Sequence, residues 1–443
     1  MRLTILGAGE TGAGTAVLAR QKGYDVFVSD AGSIADKYKQ MLNDHAVAWE
    51  EGGHTAELVL RAETIVKSPG IPPTAPIVVQ AAERGIPILS EIEFASRYTD
   101  AKMICITGSN GKTTTTRLIH HILTRAGYDA SLAGNIGRSM ALQVAEGKHD
   151  WYVIELSSFQ LENMYNFRAN IAVVLNITPD HLDRYDFRMD AYAAAKMRID
   201  RNQTETDSLI YWRDDDYVSA FLQREPTPAR ELVFADEQGG RAVAYVRNGV
   251  MTVERPSVFF MNVDELSLRG RHNVRNCMAA TIAALSAGVP REAIKSALSD
   301  FPPVPHRLEP AGIAHGVTYI NDSKATNVDA CFYALDAMTT PVVLILGGLD
   351  KGNDYAQIIP LVKEKCRALV YLGADNAKLH ETFDSLGLPV FDTHTMSDCM
   401  QACQHIAQWG DTVLLSPCCA SFDLFNGMAE RGTLFKEAVA CIS

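Results

Sequence analysis

Short apolar runs alternate along this chain with stretches whose apolar residues recur every three or four positions, the pattern of strands followed by amphipathic helices. The runs Leu3 to Leu6, Tyr24 to Val28 and Thr64 to Lys67 predict strands, with a helix through Ala19 after the first. Met103 to Thr107 begins a second series. A helical face of Leu118, Ile119, Ile122, Leu123 and Ala126 follows it, then strands at Tyr152 to Glu155 and Ile171 to Ile177. From residue 205 to 265 the pattern changes to alternating strands. There Arg241 to Val246 and Val250 to Glu254 flank Arg247-Asn248-Gly249, a hairpin signal, so this series is expected to end in an antiparallel extension. Gly270 to Asn276 opens a small-residue helix, Met278 to Ala287. Pro302, Pro303 and Pro305 can continue neither a helix nor a central strand, and they mark a linker. Beyond it Thr318 to Ile320, Pro341 to Leu346, Ala368 to Leu372, Pro389 to Phe391 and Thr412 to Leu415 alternate with helices, as in a parallel sheet. The chain reads as α/β in three domains, at 1–97, 98–303 and 304–443.

Composition changes this picture mainly by exclusion. At 443 residues the chain is too long for one ordinary core. Its 47% hydrophobic and 21% charged residues are those of a globular protein, and no apolar run reaches the ~20 residues that span a bilayer. A net charge of −12 argues against nonspecific binding to nucleic acid or to anionic membranes. Nine scattered cysteines lack the paired spacing of a zinc site and are expected to be reduced and mostly buried. Met1 leads straight into a strand with no signal-peptide core, so a cytoplasmic protein is expected.

Candidate chemistry gathers where strands end. Thr107-Gly108-Ser109-Asn110-Gly111-Lys112-Thr113-Thr114 separates an apolar strand from a helix. Backbone N–H groups there can cradle phosphates, Lys112 can neutralise them, and the Thr113 hydroxyl can ligate Mg²⁺. The loop is shorter than G-x-x-x-x-G-K-[ST], because residue 106 is isoleucine. Gly7-Ala8-Gly9-Glu10-Thr11-Gly12 follows the first strand, with Asp30 eighteen residues past Gly12, and satisfies the dinucleotide fingerprint. Taken alone it indicates NAD, or more generally a phosphate-bearing ligand on that helix N-terminus. Ser68-Pro69-Gly70 is a stiff turn or a ligand loop in equal measure. Glu155 ends a strand where a Mg²⁺-binding acid belongs, although a solvated edge is the commoner outcome. His181 caps a loop or ligates a metal, and Lys196 on its alanine-rich helix reads as a solvated lysine. Asn273 and Asn276 read as a helix cap ahead of a base contact. Three loops, Asn321 to Asn327, Gly347 to Lys351 and Ser416 to Asp423, follow strands of the third series and suggest a substrate site.

Taken together, Thr107 to Thr114, Glu155-Leu156-Ser157-Ser158, Asn176 to Asp183, Gly270 to Asn273, His306-Arg307 and Asn321 to Asn327 resemble the Mur ligases over essentially the whole chain. These are the ATP-dependent amino-acid-adding enzymes of peptidoglycan synthesis. Gly134-Asn135-Ile136-Gly137, Asp183-Arg184-Tyr185 and Ala420 to Phe425 with Glu430-Arg431-Gly432 look most like the branch that adds D-glutamate to UDP-N-acetylmuramoyl-L-alanine. The resemblance implies a Rossmann-like domain for the UDP sugar, a central ATPase domain with a phosphate loop, and a Rossmann-like domain for the amino acid. It demotes NAD. It implies that Gly9, Glu10, Thr11, Gly12, Gly70, Asn135, Gln160 and His181 hold the UDP sugar, with Asp30 at a uracil-contacting position. ATP would meet Gly108, Asn110, Gly111, Lys112, Thr113, Thr114, Asn273, Asn276, Arg307, Asp322 and Lys324. Two Mg²⁺ ions are implied, one on Thr113 and Glu155 and one on His181 and Lys196. An ammonium cannot ligate Mg²⁺, so the resemblance implies a CO₂-derived carbamate on Lys196, making it catalytic with Lys112, Glu155 and His181. D-Glutamate would meet Thr326, Lys351, Ser421 and Phe422, and Met428 stands where an aromatic is expected. A monomer with small-molecule partners is expected. A folylpolyglutamate synthetase-like ligase would lack the N-terminal domain, a dehydrogenase would leave Lys112, Glu155 and Lys324 unused, and a nonenzymatic nucleotide switch would not need His181 with Lys196.

Overall fold

The computed structural model describes residues 1–442 and divides them into two compact units. The first unit holds Met1–Ile177, Arg188–Glu265 and Arg275–Ser299 and contains two sheets. Its first sheet is fully parallel. Strands β1 (Arg2–Leu6), β2 (Asp25–Ser29), β3 (Ala48–Glu50), β4 (Thr64–Lys67) and β5 (Ile88–Leu89) lie in the order β3-β2-β1-β4-β5. The order reverses at β1, which opens a crevice at the carboxyl ends of β1 and its neighbours. The second sheet is built from β6 (Lys102–Thr107), β7 (Ala130–Gly134), β8 (Trp151–Glu155), β9 (Ile171–Val174), β10 (Ser208–Trp212), β11 (Arg230–Phe234), β12 (Ala242–Arg247), β13 (Val250–Val253) and β14 (Phe259–Asn262). Their order is β14-β13-β12-β11-β10-β9-β6-β8-β7. β6, β8 and β9 are buried along nearly their whole length, which is why they read as unbroken apolar runs and not as alternations.

The two sheets of this unit meet through helix Glu10–Gln21 and helix Met140–Glu146. Gly14 is required there, because a Cβ would run into Ser139 and Leu142. Ser139 caps the second helix by accepting the Leu142 N–H, and Ser90 caps helix Glu91–Ser96 by accepting that of Glu93.

The second unit holds Thr178–Phe187, Leu266–Val274 and the chain from Asp300 onward. Its sheet comprises β15 (Glu309–Ala314), β16 (Val317–Asn321), β17 (Val342–Gly347), β18 (Cys366–Leu372), β19 (Val390–Thr393) and β20 (Thr412–Cys418), in the order β15-β16-β20-β17-β18-β19. Only β15 runs antiparallel. Two apolar layers sandwich it, one around Leu344, Leu346 and Phe383 and the other around Ile345, Leu415 and Phe435.

Several sequence expectations need correction. The antiparallel extension is narrower than residues 205 to 265: β10 and β11 continue the parallel sheet, and even β12 pairs parallel with β11. Antiparallel pairing starts at the β12–β13 hairpin, whose Asn248 and Gly249 both take the positive φ that such a two-residue turn needs. The helix opened by Gly270 to Asn276 starts at Arg271, so Asn273 and Asn276 lie within its first turns and not at its cap. Strands β3, β5, β7 and β15 were not anticipated. Among the described residues all nine cysteines are free, eight of them buried, and no helix is long and apolar enough to cross a membrane.

Candidate active site

Strand β6 delivers the chain to a loop held from outside. Ser109 N–H donates to Asn176 O at 2.8 Å, and Asn110 N–H donates to Asn176 Oδ1 at 2.8 Å, tying the loop to the chain just past β9. Gly108 and Gly111 take φ of 145° and 84°, conformations that side chains rarely adopt. Helix Lys112–Arg125 then starts, so its first free N–H groups open on the loop. Lys112 Nζ folds back onto Gly108 O and Ser109 O at 2.8 and 2.9 Å. Thr113 donates to Glu155 Oε2 at 2.8 Å, and Asn135 Nδ2 donates to Oε1 at 2.9 Å.

Glu155 is not a solvated edge but 2% exposed. Lys196 departs equally from the reading as a surface lysine. It too is 2% exposed, donates to Gly108 O at 2.8 Å, and its Nζ lies 4.4 Å from the centre of the Tyr192 ring. Tyr192 OH is 3.2 Å from Ser109 Oγ. Sequence reasoning missed this tyrosine, which has no local signal beyond its place one turn before Lys196. The structure thus gathers Lys112, Thr113, Glu155 and Lys196 around one loop, with a hydroxyl and a carboxylate adjacent. Such hard oxygen donors suit Mg²⁺.

The N-terminal sheet carries a cavity of about 640 Å³ lined by Gly9, Asp30 and Gly70, among others. Asp30 also serves the fold: Oδ2 accepts the Ala8 N–H at 2.6 Å and Oδ1 that of Gly32 at 2.8 Å, and each oxygen keeps a further lone pair. Glu10 Oε1 accepts the Ser139 N–H, and Gln160 Oε1 closes a capping box with Ser157. Gly12 is needed because a Cβ would strike Gly7 O. Several residues expected to hold a sugar nucleotide therefore also hold the fold.

In the second unit Asp322 is buried, accepting the Leu308 N–H at 3.1 Å and the Ser416 hydroxyl at 3.0 Å. Burial raises its carboxyl to about 6, against the pull of the Arg307 cation. Arg307 Nε is a buried donor with no partner among the described residues, and Lys324 N–H donates to His306 O. Asn273 Nδ2 donates to Arg269 O. A cavity of about 320 Å³ brings His181, Thr326, Lys351 and Asp329 together. Ser421 is buried and Phe422 exposed. Arg431, buried at 1% exposure, was read only as part of a signature. It donates to Ser323 Oγ and O, to Cys419 O and, at 3.5 Å, to Gly347 O, so one guanidinium reaches all three loops, and burial lowers it to about 10. Ser323 donates in turn to Met428 O, fixing the residue that replaces the expected aromatic.

Fold and clusters define an α/β enzyme that handles phosphate-bearing ligands at strand ends. Residues 1–90 match the model of the Mur ligase MurD-like N-terminal domain, 106–284 the Mur ligase middle domain and 306–419 the Mur ligase glutamate ligase domain. The UDP-N-acetylmuramoylalanine--D-glutamate ligase of Bacteroides fragilis is 58% identical, with 99% of each chain covered. That of Porphyromonas gingivalis is 54% identical, covering 99% of this chain and 98% of its own. The chain belongs to the Mur ligase family, in its UDP-N-acetylmuramoylalanine--D-glutamate ligase branch. Among solved structures, the UDP-N-acetylmuramate-alanine ligase MurC of Thermotoga maritima superposes with TM-score 0.62 at 19% identity, over 99% of each chain. A pseudomurein peptide ligase type C of Methanothermus fervidus gives 0.64 at 17%, over 100% of each. These two share the fold.

Proposed function

We infer that this chain joins D-glutamate to UDP-N-acetylmuramoyl-L-alanine, with ATP converted to ADP and phosphate. The observation that carries the reading is the buried set of Lys112, Thr113, Glu155 and Lys196 around the Gly108–Gly111 loop, in a chain more than half identical to ligases of that name. The alanyl carboxylate attacks the γ-phosphorus, forming an acyl phosphate and releasing ADP. The amine of D-glutamate then attacks the acyl carbon, and the C–O bond to phosphate breaks as the amide forms and the amine sheds its proton. Activation is needed because a carboxylate has no adequate leaving group. Lys112 and the loop N–H groups bind and orient the β- and γ-phosphates, so positioning and charge neutralisation supply the acceleration.

Thr113 and Glu155 would hold one Mg²⁺, and Lys196, once carbamylated, would offer oxygens to a second. These ions supply charge neutralisation on the transferring phosphoryl group. The burial of Lys196 supports the modification, since a fully buried lysine is rare without a specific task. Asn273, Asn276, Arg307, Asp322 and Lys324 are assigned to ATP, and Arg307 brings an unpartnered donor to that task. Thr326, Lys351 and Ser421 are assigned to D-glutamate, Lys351 pairing a carboxylate. The domain limits 1–97, 98–303 and 304–443, a monomeric state and a cytoplasmic location belong to the same proposal. Phosphate release from ATP, measured with UDP-N-acetylmuramoyl-L-alanine, Mg²⁺ and each amino acid in turn, tests it. Release that requires both the sugar nucleotide and D-glutamate is expected. Release with another amino acid instead would overturn the substrate, and none from folded protein would overturn the reaction.

A further inference from the structure

Lys351 and Ser421, both assigned to D-glutamate, stand on different loops, and a set of buried and half-buried side chains ties those loops together. Asp350 Oδ1 accepts the Gly352 and Asn353 N–H groups at 2.6 and 3.0 Å, closing a turn around Lys351. Residues 351 to 353 of that turn line the cavity of about 320 Å³ opposite Thr326. Asp350 Oδ2 accepts the Tyr355 hydroxyl at 2.7 Å, and Lys378 Nζ reaches Oδ1 at 3.1 Å. Burial opposes charge on Asp350, yet these donors hold its carboxyl below the ordinary carboxylate range, so it can only accept. Tyr355 is 3% exposed, in the apolar core under the sheet. Its one hydroxyl proton goes to Asp350, so its oxygen, 3.2 Å from Cys419 Sγ, accepts from that thiol. Burial pushes the thiol up to about 11, so it keeps the proton it donates. Asn353 Nδ2 crosses the same gap and donates to Cys418 O at 3.1 Å. Cys418 has a φ of 62°, left-handed backbone that a cysteine rarely adopts. The loop carrying Ser421 is thus held in a strained form by side chains of the loop carrying Lys351.

We propose that the Asp350–Tyr355–Cys419 strut fixes the separation of Lys351 from Ser421, and so selects an amino diacid of glutamate's length. The inference rests on the reading of the chain as a D-glutamate ligase. Three carbons separate the two carboxylates of glutamate, against two in aspartate and four in 2-aminoadipate. Anchors held at one spacing can meet both carboxylates of only one of these acids, whereas loops free to shift would accommodate the others. Asp350 and Tyr355 are positioning residues, and Lys351 and Ser421 make the contacts.

Phosphate release by the full chain with UDP-N-acetylmuramoyl-L-alanine, ATP, Mg²⁺ and D-glutamate, D-aspartate or D-2-aminoadipate tests this. Tyr355→Phe removes one oxygen and keeps the ring in its core, so it is expected to fold, with thermal unfolding as the check. Its KM for D-glutamate should rise about tenfold, the scale of one buried hydrogen bond, with kcat within about twofold and the KM for ATP unchanged. Its preference for D-glutamate over D-2-aminoadipate, as a ratio of kcat/KM, should narrow by at least about threefold, because the longer acid loses less. Asp350→Ala, at a half-buried position, should act in the same way. Asp350→Asn, which keeps an oxygen for the turn, should stay within about threefold of the wild-type KM. A loss of packing alone would lower stability or kcat and leave the selectivity where it was. Wild-type selectivity in both Tyr355→Phe and Asp350→Ala overturns the inference alone. A wild type that uses no D-glutamate overturns the functional reading and the inference with it.

Discussion

At the scale of single residues, the phosphate loop depends on positions where one atom more or less is decisive. Gly111 is at φ 84°, and a Cβ there would stand 2.5 Å from Asn276 Oδ1 and 3.1 Å from Leu175 Cδ1. Gly111→Ala must therefore bear backbone strain of about 1–2 kcal/mol and displace a residue assigned to ATP. We expect its KM for ATP to rise about tenfold or more, with the KM for the sugar nucleotide unchanged. Unaltered ATP kinetics would show that the loop does not hold the nucleotide. Lys196 carries a sharper prediction. Lys196→Ala should lower turnover by at least about a hundredfold while the urea midpoint falls only slightly, because one buried hydrogen bond is worth about 1 kcal/mol. Wild-type protein stripped of CO₂ should lose activity and regain it with bicarbonate. Indifference of the wild type to bicarbonate would remove the carbamate from the mechanism. Nothing in the spacing around Lys196 announced its burial: an alanine-rich helix is compatible with either face inward, and only packing on Tyr192 and Gly108 decides.

At the scale of elements, the join between the two sheets of the first unit turns on Glu91, the first residue of a helix and fully buried. It accepts the Ser139 hydroxyl at 2.7 Å and the Ala141 N–H at 2.8 Å, and its Oε2 has no partner among the described residues. Burial raises its carboxyl to about 7, only partly offset by those hydrogen bonds, and the nearby Glu10 carboxylate pushes the same way. Folded protein then keeps a proton that unfolded chain sheds near 4.5. Between those values the native state binds the extra proton, so stability falls as pH rises, by about 1.4 kcal/mol per unit, and levels off above 7. Glu91→Gln keeps the shape without the titration. Urea unfolding at pH 5, 6 and 7.5 should show a wild-type decline that the variant lacks; parallel profiles would mean that Glu91 is ionised in the fold. The element scale also shows what the sequence could display. Unbroken apolar runs exposed β1, β6, β9 and β17, but β3, β5 and β15 are short or contain proline and glycine, and no period survives in them. Strand direction in β10 and β11 was equally illegible, because a two-residue period is the same in parallel and antiparallel pairs.

At the scale of the whole molecule, loops at strand ends were readable because glycine, lysine and acid fall at fixed offsets from an apolar run. Residues that hold those loops were not: Arg431 and Tyr192 come from helices remote in sequence and act only once the chain has folded. The division into two units carries the last prediction. The segments Thr178–Phe187 and Leu266–Val274 belong to the second unit although the first surrounds them in sequence, so each unit has its own set of internal contacts and core. A multidomain chain of this kind need not unfold in one step. We expect calorimetry to resolve two transitions. UDP, whose assigned cavity lies in the first unit, should raise one of them, by about 2.7 kcal/mol of stabilisation at a hundredfold excess over its Kd. Hydrogen exchange should assign that transition to β1, β2 and β4, with exchange in β16, β17 and β20 unchanged. If UDP instead shifts a single transition and protects all three sheets alike, the molecule unfolds as one cooperative body, and the two-unit description is wrong energetically even though it holds geometrically.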